Sequence, residues 1–339
     1  MRGTVILVSH PLHAPVVSIV VPVYNRSVLI KECMDALLKQ DAKFKYEIVL
    51  VDDKSTDDTL KVLYEWKKKY PLTITVVEKE KNNGQWITRN IGVEKSSGKI
   101  IVFTDSDVVV RPDWLSKLTK PLREDGEEAS QGYSTGETKN VWQKLIQETY
   151  DQFVAGMVKN GYSTGYDTRN SAVLRDVFLK LKGFEIRHAE DADFGAKLVA
   201  NKVKIKFVPE AINFHYHRKE LFKDMKANYQ FATRYPIIIR RNHHLLMAQA
   251  SLVIRLAAAC YFILLALLAP VLFFYPSYLI YYLGAVVLFF AIVSTRAFKK
   301  PYDLFLYRVI YLIAQSLATL CGFVKGIPMG LTNHETGKA

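Results

Sequence analysis

Two aspartates that lie two positions apart are the residues best suited to metal chemistry in this sequence. Asp105 and Asp107 follow the apolar run Ile100–Phe103, which is typical of a short strand buried on both faces. Because successive strand side chains alternate between faces, both carboxylates can reach the same side where the chain leaves the sheet. Their oxygens suit Mg²⁺ or Mn²⁺, which bridge readily to a diphosphate. The alternative is that Asp105-Ser106-Asp107 only opens a turn or caps the next helix.

The elements that must position these carboxylates alternate between strand and helix. Short apolar and β-branched runs predict strands at residues 16–23, 46–51, 72–77 and 100–103. Helical spacing predicts three helices between them, over residues 27–40, up to about residue 70, and over residues 85–97. Ser55 or Thr56 is the expected N-cap of the second helix. This alternation predicts a mainly parallel, doubly wound sheet, a fold that binds ligands at the carboxyl ends of its strands.

The segments that follow are less regular. Residues 123–140 are polar and are predicted to form a surface loop, with edge-strand character near residues 131–133. Residues 141–158 are predicted to form an amphipathic helix. Two closing strands are expected, at residues 203–208 and 211–216.

Charge and hydropathy divide the chain into a head and a tail. The 339 residues carry a net charge of +13, and half of them are hydrophobic. Residues 218–244 hold seven Lys/Arg against two Asp/Glu, which suits an anionic, cytoplasmic leaflet. Three apolar runs follow that approach or reach membrane-spanning length, at residues 252–274, 278–295 and 304–324. A re-entrant third run is the alternative to three spans.

Four ordered motifs resemble those of the family 2 glycosyltransferases with the GT-A fold. They are Val-Ser-Ile-Val-Val-Pro-Val-Tyr-Asn (17–25), Val-Asp-Asp-Lys-Ser-Thr-Asp-Asp-Thr (51–59), Thr-Arg-Asn-Ile-Gly (88–92) and Thr-Asp-Ser-Asp (104–107). The resemblance continues through Lys-Gly-Phe-Glu (182–185) and His-Ala-Glu-Asp-Ala-Asp-Phe-Gly (188–195). It implies an α/β fold: a GT-A (Rossmann-like, mainly parallel sheet) catalytic domain, followed by an α-helical membrane tail.

The resemblance also implies how a nucleotide-diphosphate sugar would be held. Asp53 would accept a hydrogen bond from the base, Arg89 would pair with the diphosphate, and Asp105 would face the sugar or ribose. The other residues of the nucleotide pocket would be Pro22, Tyr24 and Asn25. Asp105 and Asp107 would form the DXD metal motif of the family, and Asp107, with Asp105 and His215, would hold Mg²⁺ or Mn²⁺.

The residues alone leave alternatives open at several of these positions. Asp52 and Asp53 could instead cap a helix. Arg89 could pair with a nearby acid rather than a phosphate. His217 is a rival to His215, since a lone histidine in a strand is more often structural.

The resemblance places the catalytic base at Asp191, with Glu190 positioning it or contacting the acceptor. A sugar hydroxyl that attacks an anomeric carbon must lose its proton, and a positioned carboxylate is the usual base. The alternative is that Glu190, Asp191 and Asp193 only enrich a helix N-terminus in negative charge. A phosphate acceptor needs no base, so this motif favours a hydroxyl acceptor.

The sequence therefore predicts an inverting, metal-dependent glycosyltransferase acting on a hydroxyl of a membrane-associated, polyprenyl-linked glycan. The rivals are a synthase that glycosylates polyprenyl phosphate and a non-catalytic nucleotide- or glycan-binding membrane protein. Four regions are expected: the GT-A domain (1–217), a basic interfacial segment (218–249), a region of two or three transmembrane helices (250–325) and a polar tail (326–339). The apolar stretch within residues 1–15 is too short for a signal peptide, so the head is expected to stay in the cytoplasm. Together with the apolar runs of the tail, this predicts a multi-pass cell-membrane protein. No nucleic-acid partner is expected.

Overall fold

The computed structural model describes residues 15–241, residues 305–331 and ten helical residues between these ranges (260, 261, 263, 264, 279–282, 284 and 285). The described chain forms two compact units. The first comprises residues up to 134, 166–185 and 202–214, and the second comprises residues 135–165, 186–201 and those from 215 onward.

Ten strands and ten helices are named here along the described chain. The strands are β1 (Val17–Val23), β2 (Tyr46–Asp52), β3 (Ile74–Glu78), β4 (Ile100–Phe103), β5 (Val108–Val110), β6 (Ala129–Gly136), β7 (Val158–Lys159), β8 (Tyr162–Ser163), β9 (Ser171–Leu174) and β10 (Ile205–His215). The helices are α1 (Leu29–Leu38), α2 (Thr59–Lys69), α3 (Gln85–Glu94), α4 (Trp114–Glu124), α5 (Val141–Met157), α6 (Arg175–Lys180), α7 (Glu190–Ala200), α8 (Leu221–Ala232), α9 (Tyr235–Arg241) and α10 (Phe305–Leu331).

The first unit is built on a mostly parallel sheet with helices between its strands. Its parallel part has the order β3-β2-β1-β4, and α1, α2 and α3 connect these strands in sequence. Every residue of β1 and β4 is buried, which is why both strands are almost wholly apolar. The predicted alternation of strands and helices is confirmed, with ends that differ by a few residues.

The second half of this sheet corrects the interpretation of residues 123–140. Beyond β4 the order continues through β9 to β6 and then β10, with β9 antiparallel to both β4 and β6. The predicted surface loop therefore contains a largely buried internal strand, β6. One of its polar side chains finds a partner inside the unit: Ser130 Oγ donates to the carbonyl of Leu118 at 2.6 Å. Gly132 is needed because a Cβ there would lie 2.3 Å from the carbonyl oxygen of Ala211.

The closing segment is also different from the prediction. One strand, β10, covers the two strands expected at residues 203–208 and 211–216. Pro209 and Glu210 lie inside it and are exposed. A proline is tolerated where a strand does not need an amide donor, so the proline did not break this strand.

A single buried amide joins several elements of the first unit. Asn170 Nδ2 donates to the carbonyls of Tyr133 (3.0 Å) and Ala211 (2.9 Å), and its Oδ1 accepts from Trp114 Nε1 at 2.8 Å. The residue is fully buried. Its side chain thus connects β6, β10 and α4 to the start of β9. Because the site is buried, leaving any of these polar groups unpaired would be costly.

The second unit is mainly helical. The helix predicted at residues 141–158 is confirmed as α5, which begins with a capping box in which Asn140 and Gln143 bond each other's backbone. Helix α10 packs along α8 through small residues: a Cβ on Gly322 would lie 2.4 Å from the carbonyl oxygen of Tyr229. A Cβ on Gly326 would lie 2.1 Å from the carbonyl oxygen of Thr233. Glycine at both positions permits this close approach of the two backbones.

Polar side chains cross the same α8–α10 contact. Asp224 Oδ2 accepts hydrogen bonds from Tyr311 Oη at 2.8 Å and from Gln315 Nε2 at 2.6 Å. One turn further along α8, Asn228 Nδ2 donates to Thr319 Oγ1 at 2.8 Å and to the carbonyl of Gln315 at 3.0 Å. We call these five residues the α8–α10 polar seam.

One helix of the described chain is long and apolar enough to cross a membrane. It covers Ile310–Met329 within α10, and 44% of its most apolar 18-residue stretch is buried. The length and composition of this helix support membrane anchoring only weakly, because core helices of soluble proteins can share both. Apart from the ten helical residues mentioned above, the predicted runs at 252–274 and 278–295 lie outside the described residues.

Candidate active site

The ends of β1 and β2 are tied together by a network of short polar side chains. Asn25 has a left-handed backbone (φ 51°), and its N–H donates to Ser55 Oγ at 3.0 Å. Its Oδ1 accepts from the Thr56 N–H at 2.8 Å. The predicted N-cap role of Ser55 or Thr56 is therefore wrong, because α2 begins after Asp58 with no side-chain cap and both hydroxyl residues serve the loop instead.

The exposure of the residues around this edge differs. Pro22 is buried within β1, where it lies opposite Val51 of β2. Tyr24, the first residue after β1, is 43% exposed. Its ring is therefore available to a ligand at the sheet edge, whereas Pro22 contributes to the floor of the sheet.

Asp53 is buried in an ion pair that the sequence analysis did not predict. Lys79 Nζ lies 2.5 Å from Asp53 Oδ1, and both side chains are less than a tenth exposed. The backbone N–H groups of Asn83 (3.3 Å) and Gly84 (3.1 Å) donate to Oδ1 and Oδ2 of the same carboxylate. Lys79 also donates to Asn83 Oδ1 and, at 2.9 Å, to Thr88 Oγ1. The capping alternative for Asp53 is not seen.

The two aspartates after β4 each face an arginine. Arg89, which is 1% exposed, donates from Nη2 to Asp105 Oδ1 at 2.6 Å. Arg26 Nη2 lies 3.4 Å from Asp107 Oδ2. The alternative in which Arg89 pairs with an acid is thus the arrangement in this structure. Two cations and two carboxylates meet at the carboxyl end of the central strands.

The residues at this edge fit a hard divalent cation. The side chains of Asp105 and Asp107 are partly exposed, at 21% and 18%, so a cation can reach them. Burial, and to a smaller extent the negative charge of Asp107, raise the pKa of the nearby Cys33 thiol. Among the described residues no group of three or more His, Cys, Asp or Glu could hold a metal. Two carboxylates with phosphate oxygens suffice for Mg²⁺-type sites.

Glu190 and Asp191 begin helix α7 in the second unit. Glu190 is 2% exposed, whereas Asp191 is partly exposed and its Oδ1 accepts from the Ala192 N–H at 2.8 Å. Asp193 is buried and lies within 4 Å of Lys197 and Arg241. The positions of these acids at a helix N-terminus agree with the electrostatic alternative, but a partly exposed Asp191 can also meet a substrate.

His215 and His217 lie side by side at the end of β10. Their Nδ1 atoms are 3.4 Å apart, and His217 Nε2 lies 2.8 Å from Gln147 Oε1. His217 is buried, whereas His215 is partly exposed. The packing is tight around His217, because a Cβ on Gly136 would lie 2.1 Å from its Nε2. His217 is thus fixed by packing, and the role of His215 as a ligand stays a prediction.

Sequence reasoning missed Arg26 and Lys79. Both follow strands of the parallel sheet, β1 and β3, at the edge where ligands bind. Their position at this edge could have identified both as candidate site residues. Their partners could not be predicted, because the ion pairs join residues 81 and 26 positions apart in the chain.

His188, which precedes the acidic pair, provides a pH-dependent test of the second unit. Burial, followed by the nearby charges of Arg187 and Arg234, lowers its pKa from 6.5 to about 4. Below pH 6.5 His188 takes up a proton in the unfolded chain but not in the folded chain. The free energy of unfolding should therefore fall between pH 6.5 and 4, and His188 should not affect it above pH 6.5. Thermal unfolding from pH 7.5 to 4.5 should show this loss, and His188→Asn, which tolerates the positive φ of 66°, should reduce it. An unchanged pH profile in the variant would contradict the lowered pKa.

Comparison with known proteins identifies the class to which this sheet and its carboxylate edge belong. Residues 18–182 match the sequence model of Glycosyl transferase family 2. The chain therefore contains a glycosyl transferase family 2 domain, and the predicted resemblance is confirmed.

Two curated relatives and one solved structure illustrate the similarity. The poly(ribitol-phosphate) beta-glucosyltransferase of Bacillus spizizenii is 28% identical over 236 residues, which are 62% of this chain and 37% of that protein. Glycosyltransferase AglE of Haloferax volcanii is 30% identical over 172 residues, or 49% of this chain and 53% of that protein. The matched part of this chain thus spans about a third to a half of the length of these relatives.

The solved structure is the mannosyltransferase PcManGT of Pyrobaculum calidifontis in complex with GDP-Man and Mn²⁺. It is 22% identical, has a TM-score of 0.63, and covers 91% of this chain and 88% of its own. At this identity the likeness concerns the fold. It confirms the GT-A fold expected from the sequence.

Proposed function

We propose that this protein is a metal-dependent, inverting glycosyltransferase that transfers a sugar from a nucleotide-diphosphate sugar to a hydroxyl of a glycan. The observation that carries the proposal is the edge after β4, where Asp105 and Asp107 face Arg89 and Arg26 within a family 2 domain. The names of the relatives support it, since they are glycosyltransferases, and PcManGT was solved with a nucleotide sugar and Mn²⁺.

On the donor side, each role is the one that the family resemblance implies, and the chemistry of the side chain permits it. Tyr24, with Asn25 and Pro22, lines the nucleotide pocket, and Asp53 accepts a hydrogen bond from the base. Asp107 and the second oxygen of Asp105 would hold Mn²⁺ or Mg²⁺, with His215 as a further candidate ligand. A bound cation supplies the positive charge that a departing diphosphate needs.

Arg89 keeps Asp105 oriented, because its guanidinium bonds one carboxylate oxygen at 2.6 Å and is itself buried. Such a charge-assisted hydrogen bond is shorter and stronger than a neutral one. The free oxygen of Asp105 is thereby directed away from Arg89. Arg26, which is more exposed, is the cation that can turn from Asp107 to a phosphate oxygen.

On the acceptor side, Asp191 acts as the general base. The acceptor hydroxyl loses its proton to the Asp191 carboxylate while its oxygen forms a bond to the anomeric carbon. The bond from that carbon to the phosphate oxygen breaks, and the nucleotide leaves as a diphosphate. A single displacement of this kind inverts the anomeric configuration. Glu190, buried next to Asp191, positions the base or contacts the acceptor.

The proposed acceptor is a polyprenyl-linked glycan at the cytoplasmic face of the cell membrane. Support comes from the basic residues of α8 and its flanks, and from the apolar stretch Ile310–Met329. Lys223 and Lys226 of α8 could contact anionic headgroups beside an anchored acceptor. Two or three spans in residues 250–325 remain the predicted anchor.

Transfer assays with two acceptors test the proposal. The detergent-purified full chain is incubated with Mn²⁺ and a set of nucleotide sugars, using either a polyprenyl-linked oligosaccharide or polyprenyl phosphate as acceptor. We expect product only with the oligosaccharide, with inverted anomeric configuration by nuclear magnetic resonance. Product only with polyprenyl phosphate would support the synthase instead. No transfer to either acceptor, with or without nucleotide binding, would favour the non-catalytic rival.

A further inference from the structure

The buried pair of Asp53 and Lys79 limits which nucleobase can bind at the proposed donor site. A carboxylate offers about four lone-pair sites, two on each oxygen. Asp53 Oδ1 accepts from Lys79 Nζ and from the Asn83 N–H, and Oδ2 accepts from the Gly84 N–H. Three sites are therefore occupied, and one remains, on Oδ2.

Lys79 has no donor left to offer a ligand. An ammonium group has three N–H donors, and those of Lys79 go to Asp53, Asn83 and Thr88. Its side chain is 5% exposed and that of Asp53 is 7% exposed. The pair is a closed, charge-compensated group that presents one acceptor and no donor.

The common donor bases differ in what they can give to such an acceptor. Guanine presents two neighbouring donors, its ring N1–H and its 2-amino group, which a carboxylate satisfies with one oxygen each. Uracil presents a single imide N3–H between two carbonyl oxygens. At a carboxylate with one remaining site, guanine leaves its amino group without an acceptor, whereas uracil leaves no donor unpaired. The carbonyl oxygens of both bases find no donor in this pair, and an unpaired carbonyl is tolerated more readily than an unpaired N–H.

We propose that Lys79 is a specificity-determining residue that restricts Asp53 to an imide N–H, and that the donor is a uridine-diphosphate sugar rather than a guanosine-diphosphate sugar. This inference rests on the proposed function and on Asp53 as the residue that contacts the base. Lys79 acts through Asp53 and is a positioning residue. It also fixes the loop that follows β3, through Asn83.

Calorimetry of the full chain in detergent with Mn²⁺ tests the inference using UDP, GDP and UDP methylated at N3. We expect UDP to bind at least about fivefold more tightly than GDP, since leaving a buried donor unpaired weakens binding by about that factor or more. N3-methylation removes the one donor and should weaken binding by a similar factor. These ligand comparisons use the unaltered protein, so they do not depend on the folding of a variant.

A pair of variants then isolates the role of Lys79. Lys79→Met frees a site on Asp53 Oδ1 and should reduce the ratio of UDP to GDP affinity several-fold. Lys54→Met is the matched control, because Lys54 is adjacent to Asp53 but is 52% exposed and pairs with Glu78 at 3.5 Å. The control should keep the ratio. A purely structural role of Lys79 would lower the affinity for both nucleotides together.

The outcomes separate this inference from the proposed function. GDP binding as tightly as UDP, or equal binding of the N3-methylated nucleotide, would overturn the inference and leave the glycosyltransferase proposal intact. An unchanged ratio in a folded Lys79→Met variant would overturn the role of Lys79. Absence of binding by any of the nucleotides would count against both.

Discussion

Replacement of Asp191 by asparagine is expected to lower the rate of sugar transfer by about 10²–10⁴-fold, the usual contribution of a general base. The amide has nearly the same shape but cannot accept the proton of the acceptor hydroxyl. Nucleotide binding should be unchanged, since the proposed base contacts the acceptor and not the donor. Initial transfer rates at saturating donor, with calorimetry of nucleotide binding, measure both.

The matched control is Asp176→Asn, which removes an exposed carboxylate from the first turn of α6. Both aspartates lie in the first turn of a helix, so a loss caused only by weaker helix-terminal electrostatics would appear in both variants. Near-normal transfer by Asp191→Asn would show that the acceptor needs no base. That result would redirect the assignment to a phosphate acceptor, which is already ionised.

Replacement of Asp107 by alanine is expected to abolish the dependence of nucleotide binding on Mn²⁺. The variant removes a partly exposed carboxylate from the connection between β4 and β5 and leaves Arg26 without that partner. Affinity with Mn²⁺ should fall at least about tenfold, because the diphosphate then lacks its charge-neutralising partner. Calorimetric titration with and without the metal provides this readout independently of turnover.

Asp125→Ala is a suitable control for this change, since Asp125 is exposed at the end of α4, away from the β4 edge. It alters net charge equally and should leave the metal effect intact. If Asp107→Ala still binds nucleotide more tightly with Mn²⁺ than without it, the assignment of Asp107 as a metal ligand is wrong.

The parallel half of the sheet could be predicted from the sequence because its burial is uniform. In β1 and β4 every side chain is buried, and the resulting apolar runs can be recognised from the sequence alone. Strand β6 is buried as well, but it consists of small and polar residues. Its burial depends on distant partners such as Leu118 and Ala211, which local patterns do not reveal.

The candidate site shows the same division. The motif around Asp105 and Asp107 indicated both the sheet edge and its chemistry, and the structure brings Arg89 to Asp105 as one of the two alternatives anticipated. The partner of Asp53 was not anticipated. Lys79 lies in a lysine- and glutamate-rich stretch that resembles a solvated loop, so only the fold distinguishes it from its neighbours.

The α8–α10 polar seam determines where the chain can be shortened for biochemical work. A truncation after residue 304, intended to give an enzyme that needs no detergent, would delete Tyr311, Gln315 and Thr319. Asp224 and Asn228 would then lose the hydrogen bonds that α10 provides. The backbone carbonyls of Tyr229 and Thr233, which the glycines of α10 cover, would also become exposed. An expression boundary before α10 therefore cuts through the second unit, and a soluble form is better sought by redesigning the outward residues of α10.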